Sequence, residues 1–221
     1  MIPVFDLKSG GDDDVKNCKK LVSILSTVGF VYVKNHGIPA ETISACRRAF
    51  VEFFSQSNQL KESSNDLIDD STLYGFRSFE SEKHDPRRKE RDAKEGISFP
   101  AHDIRAIAFP NSDIETAVVR LVDELNTLGH RMLEMIGTGL ELRDPMHFAK
   151  AHSTLSTQEG ESMTAFKVNY YPKLEAGLKV DQVLCGEHAD FGSITLLIQD
   201  RVGGLEVICF TFDTLECFES G

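Results

Sequence analysis

The chain has 221 residues, 41% hydrophobic and 27% charged, with a formal net charge of −11 and a pI near 5.1. That length and composition suit a globular protein able to bury a core of its own. The acidic balance argues against nucleic acid and against an anionic membrane surface as partners, because both select basic footprints.

The opening residues MIPVFDLKSGGDDD have a short apolar part and an acidic flank, which is not a secretory pattern, and no apolar run is long enough to span a bilayer. Five cysteines, Cys18, Cys46, Cys185, Cys209 and Cys217, form no CxxC and no zinc-like spacing. The expected location is therefore a reducing one, the cytoplasm.

Ile2 to Leu7 reads as an edge strand with Pro3 at its start. The aspartates before Val15 can cap a helix running to Val28, whose apolar positions recur at helical spacing and which Gly29 ends. Phe30 to Val33 follows as a strand, and Pro39 opens a second helix to about Ser55.

Residues 58–113 are polar and dense in charge, and are expected to be irregular apart from a short strand near Tyr74 to Phe79. The basic cluster Arg87, Arg88, Lys89 and Arg91 reads as a solvated face. From Asn111 to Leu140 a long amphipathic helix is predicted, with Ser112 or Asp113 as N-cap, then a short helix from Asp144 to Lys150.

The last third turns to strands. Phe166, Val168 and Tyr170 alternate with Lys167, Asn169 and Tyr171. Ser193 to Gln199, with the apolar run Ile194 to Ile198, reads as a buried strand, and Leu205 to Phe212 as another. The class is α+β: an N-terminal helical region, then a double-sheet roll. The expected organisation is 1–112 for the N-terminal region, 113–160 for the long helix and connector, and 161–221 for the start of the roll.

His188 and Asp190 are alternate residues of an extended segment, so an imidazole and a carboxylate can face one point. They are two of the three ligands of a 2-His-1-carboxylate iron site. A histidine merely held by a neighbouring aspartate is the bland alternative. Cys185 falls on the opposite strand phase and is not expected to join them. His147 and His152 have no carboxylate at useful spacing. Asn169 and Tyr171 share a strand face and offer neutral hydrogen bonds suited to a carboxylate.

Four blocks in order, IPVFDL, GFVYVKNHGIP (Gly29 to Pro39), NYYP (Asn169 to Pro172) and GEHADFGSITLLIQD (Gly186 to Asp200), make the sequence resemble the isopenicillin N synthase-like branch of the Fe(II)/2-oxoglutarate-dependent dioxygenases. The resemblance implies that His188 and Asp190 bind Fe(II) and that Asn169 and Tyr171 help hold 2-oxoglutarate as co-substrate. It further implies a double-stranded β-helix fold, O2 and a small organic molecule as reactants, and ascorbate as a possible accessory. Hydroxylation or desaturation would be the outcome.

The family pattern also has a distal histidine and an Arg-x-Ser. After Asp190 this sequence has no histidine and its last arginine is Arg201, while the residues after Val207 no longer resemble the family. The expectation is a truncated or alternatively spliced form with an incomplete roll and little turnover. A catalytically inactive isoform with a binding role is the alternative. An oxidase that needs no 2-oxoglutarate and a zinc hydrolase using Glu187 are more distant ones.

Overall fold

Asp14 starts the first helix. Its backbone is extended and its carboxylate accepts from the N–H groups of Lys16 and Asn17, satisfying donors that a helix N-terminus leaves free. The computed structural model describes residues 2–8, 14–63, 74–100, 112–152, 164–210 and 215–219. The described elements are β1 (Val4–Asp6), α1 (Val15–Thr27), β2 (Tyr32–Lys34), α2 (Ala40–Phe54), α3 (Asn58–Ser63) and β3 (Gly75–Arg77). They continue with β4 (Glu95–Pro100), α4 (Ser112–Gly139), α5 (His147–Ala151), β5 (Ala165–Tyr170), β6 (Glu206–Phe210) and β7 (Leu215–Glu219).

The chain divides into two compact units. One comprises Met1–Ile38, Leu125–Ser153 and Thr195–Gly221; the other comprises Pro39–Glu124 and Thr154–Ile194.

In the first unit β1 pairs in parallel with β2, Phe5 opposite Val33. Phe5 and Leu7 are buried with Cys18 and Leu21 of α1 and with Leu128, Met132, Leu133 and Met135 of α4. Gly139 permits the close approach of α4 to α1, since a Cβ there would lie 2.4 Å from the Cys18 carbonyl oxygen. Ile2 and Val207 form a small buried group with Val28 against it. β6 and β7 form an antiparallel pair, so the terminal residues 215–219 add a strand that the sequence pattern did not suggest.

The second unit carries the site. Its sheet has the order β3-β4-β5, all antiparallel. The aromatic side chains of α2 gather over it: Phe50 against Phe99 and Phe166, Phe53 against Phe76, and Phe54 stacked on Tyr170 with centroids 4.8 Å apart. Burying rings of this size makes a large apolar contribution to the unit. Lys61 of α3 is also buried and pairs with Glu95 at 2.6 Å, so its charge does not enter the interior alone.

Three expectations change. The stretch from 58 to 113, read as mainly irregular, supplies α3 and the central strand β4 as well as β3. β4 was hidden because charged residues precede it and Gly96 and Pro100 interrupt its composition, yet Ile97 and Phe99 are fully buried between two partners. The run Ile194 to Ile198 does not form the expected strand: among the described residues it has no ladder partner, and Leu197 is 60% exposed. Without a neighbour to satisfy its backbone, an apolar run has no sheet to join. The described strands lie in three sheets, and β5 pairs with β4 from the charged stretch. Ser112 and Asp113 lie inside α4 rather than capping it, and Asn111 falls outside the described residues.

Candidate metal centre

Gly186 has to be a glycine for the site to form. A Cβ there would stand 2.6 Å from the backbone nitrogen of Asp85, so the segment carrying His188 lies directly on the loop from 80 to 92. The two segments are laced together. Arg87 bonds Asp85 at 2.8 Å and Glu187 at 2.5 Å, and Arg88 bonds Asp181 at 3.3 Å. Glu80 accepts from Lys179 at 2.6 Å and from the buried Gln182 at 2.7 Å, and Gln182 also donates to the Arg91 carbonyl. Exposed pairs are worth little singly, but here they share buried partners and form a network. The basic cluster thus does more than solvate a face. It fastens one loop to the other.

At the centre of this contact is Asp92, only 2% exposed. One carboxylate oxygen accepts from the His84 backbone N–H at 3.2 Å and meets His84 Nδ1 at 2.5 Å. The other accepts from the Gly186 N–H at 3.0 Å. The Gly186 carbonyl in turn faces His188 Nδ1 at 2.8 Å. A carbonyl or carboxylate oxygen only accepts, so both imidazoles are assigned their proton on Nδ1, and in the neutral rings each Nε2 presents a lone pair. His188 Nε2 stands 3.4 Å from Asp190 Oδ1. Two electron-rich atoms facing each other at that distance fit a cation between them. The pair is open to solvent, at 39% and 51% side-chain exposure, which leaves room for further ligands.

The His84 and His188 rings lie with centroids 4.7 Å apart at 47°. One ligand atom each from His84, Cys185 and His188 falls within 4.8 Å of the others. Strand alternation would place Cys185 on the face opposite His188. The segment 182–190 is irregular instead, so a period of two does not apply to it. His84 and Asp92 sit eight residues apart in a charged stretch, a spacing with no diagnostic value by itself. His147 and His152 are not among the described residues brought together here; His152 Nδ1 meets the Phe148 carbonyl at 2.7 Å.

Asn169 lies at the end of β5, where its Oδ1 accepts from Lys94 at 3.1 Å. Lys94 is buried and also pairs closely with Glu82, which Lys167 bonds at 2.8 Å. Tyr171 follows β5, and its hydroxyl interacts with Cys185. Burial of that hydroxyl, then the nearby Cys185, Asp92 and Glu82, push the phenol above its usual range, so it stays protonated as a donor. Burial likewise raises the Cys185 thiol, partly offset by Lys94.

Burial acts against ionisation of Glu82, but the hydrogen bonds from Lys167 and Lys94 outweigh it and bring its pKa to about 2. A carboxylate held this low stabilises the fold fully above its ordinary value of 4.5, and the contribution is lost as pH falls from there towards 2. Unfolding measured across that window is expected to show a loss of stability that Glu82→Gln flattens.

The residues match known proteins along most of the chain. The N-terminal region of a family described as non-haem dioxygenase in morphine synthesis matches residues 2–114, just over half of the sequence. The chain belongs to the non-haem Fe(II)/2-oxoglutarate dioxygenase family. Among curated members, a probable iron/ascorbate oxidoreductase of Dictyostelium discoideum is 25% identical over 93% of this chain and 65% of its own length. Flavanone 3-dioxygenase of Petroselinum crispum is 29% identical over 93% of this chain and 54% of its own. The chain therefore spans between about half and two thirds of the length of such relatives.

Solved structures agree on the fold. A full-length Neurospora crassa protein, crystallised in complex with alpha-KG, superposes with a TM-score of 0.77 at 20% identity, covering 99% of this chain and 69% of that one. A 2OG-Fe(II) oxygenase family protein of Caulobacter crescentus gives 0.75 at 22% identity, covering 97% and 69%. No helix among the described residues is long and apolar enough to cross a membrane.

Proposed function

We propose that this protein is a non-haem iron oxidoreductase that couples 2-oxoglutarate decarboxylation to the hydroxylation or desaturation of a small organic molecule. The observation that carries this is the His188–Asp190 pair at 3.4 Å, with His188 held from behind by the Gly186 carbonyl. Family membership and relatives named as iron and 2-oxoglutarate oxidoreductases support the same reading.

In this reading His188 and Asp190 hold Fe(II), a fit for a donor set of one neutral imidazole and one carboxylate. Iron there supplies the redox centre at which 2-oxoglutarate and O2 react, and ascorbate keeps it reduced. Asn169 and Tyr171 bind the 2-oxoglutarate carboxylate. Lys94 occupies the Asn169 carbonyl oxygen, which turns the amide towards its role as donor, and the raised phenol of Tyr171 remains an O–H. Neutral donors beside an acidic co-substrate orient it without adding a competing charge. Asp92 works at one remove, fixing the Gly186 backbone that orients His188.

We further infer that β5 and the chain from Gly186 onward begin the family's double-stranded β-helix, which the structural matches support. The family match over residues 2–114 supports ending the N-terminal region near residue 112. Cys18, Cys46 and Cys185 are thiols and not disulfide halves, which supports a cytoplasmic location.

The test is succinate formation from 2-oxoglutarate under air with ascorbate. These 221 residues supply two of the three iron ligands, so little succinate is expected from them alone; where a third histidine is supplied, succinate is expected to require Fe(II) and to be lost in His188→Ala. Succinate produced equally by the variant, or without iron, contradicts the reading.

A further inference from the structure

We propose that His84, Cys185 and His188 form a second metal-binding arrangement, one that takes a borderline-soft divalent cation of the zinc and cobalt class. It shares His188 with the His188–Asp190 pair but differs from it in donor chemistry. The set has two imidazole nitrogens and a sulfur, where the iron pair has one nitrogen and an oxygen.

Three independent features carry the proposal. The ligand atoms already converge, all within 4.8 Å of one another, although the residues come from two loops a hundred residues apart. A four-coordinate site with bonds of about 2.0–2.3 Å needs ligand atoms about 3.5 Å apart, so closure by roughly 1 Å suffices. His188 is 39% exposed at its side chain, so that closure moves part of its ring through solvent and not through packed neighbours.

The second feature is how the imidazoles are held. His84 Nδ1 is fixed by the buried Asp92, and His188 Nδ1 by the Gly186 carbonyl, whose own N–H is bonded to the same Asp92. A carboxylate or carbonyl on the far nitrogen is the support that metal-binding histidines characteristically receive, and it leaves Nε2 for the cation. One carboxylate therefore orients both rings. The third is the sulfur itself. A thiolate selects zinc-like cations over the harder ions that suit oxygen donors. On binding, the Cys185 thiol gives its proton to solvent and its contact with Tyr171 is exchanged for the metal bond.

Three protein ligands leave a fourth position open to water. Because His188 cannot serve both arrangements at once, a cation held by His84 and Cys185 withdraws it from Asp190. The site itself does not depend on the oxygenase reading, since it requires neither 2-oxoglutarate nor O2; only this competition does.

The experiment is anaerobic titration of the purified chain with Co2+. One equivalent is expected to produce tetrahedral cobalt absorption together with a thiolate-to-cobalt charge-transfer band, and one equivalent of Zn2+ is expected to bleach both. Cys185→Ser should remove the charge-transfer band. His84→Ala should weaken cobalt binding on the order of 10- to 100-fold. Asp190→Asn should leave the band in place while removing Fe(II)-dependent 2-oxoglutarate binding, which separates failure of this site from failure of the oxygenase reading. Wild-type protein also provides a test that needs no folded variant: Zn2+ should protect Cys185 from alkylation, read by peptide mass. Folded wild type with no charge-transfer band, a band unchanged in Cys185→Ser or His84→Ala, or no protection of Cys185 would overturn the proposal.

Discussion

Asp92→Ala is expected to lower the unfolding free energy by about 3 kcal/mol and to abolish metal binding at His188. The buried carboxylate accepts from the His84 backbone, the His84 ring and the Gly186 backbone. Alanine leaves these donors without their buried partner, and each buried unpaired donor costs about 1–3 kcal/mol. Relaxation of the two loops recovers part of this, so the total stays below the simple sum. Denaturant unfolding measures the loss. Asp92→Asn keeps two acceptor sites on one oxygen but places an NH2 against one of the present donors. Its stability should fall between wild type and alanine, and its His84 ring should lose its fixed orientation.

Gly186→Ala acts on the same contact from the other side. The new methyl would sit 2.6 Å from the Asp85 nitrogen and 2.9 Å from its Cβ. Backbone cannot yield as a flexible side chain does, so the loop carrying His188 must move outward. Overpacking of this kind costs about 1–3 kcal/mol. The functional effect is expected to exceed the stability effect: a ligand displaced by about 1 Å loses on the order of 100-fold in a position-dependent reaction. The check is an Fe(II) titration beside an unfolding curve. Unchanged iron affinity in a variant that unfolds earlier would show that the contact serves stability alone.

Much of the helical framework was legible from periodicity. α1, α2 and α4 each carry an apolar stripe, and Asp14 and Gly29 mark the ends of α1 with the chemistry that helix termini require. β5 was legible from alternation. β4 was not, because a strand buried on both faces and joined on both sides needs no alternation, and Lys94 and Glu95 at its start disguise it. The run from Ile194 to Ile198 misled for the opposite reason. Its composition satisfies the rule for a buried strand, but pairing depends on a partner that composition does not specify.

The site divides in the same way. His188 and Asp190 could be proposed from the sequence because they are near one another in it and lie in a block that resembles the family. His84, Asp92 and Cys185 were not. Their relation depends on a loop crossing fastened by Arg87, Arg88 and Gln182 to residues about a hundred positions away. Nothing local in the sequence encodes that meeting, apart from the glycine at 186 where the two backbones touch.

The central claim, that His188 and Asp190 together make the iron and 2-oxoglutarate site, is tested most directly by anaerobic calorimetry of 2-oxoglutarate binding with and without Fe(II). The account predicts binding of one equivalent that requires Fe(II) and is lost in both His188→Ala and Asp190→Ala. Binding that proceeds without iron, or that survives either substitution in a folded protein, would contradict it.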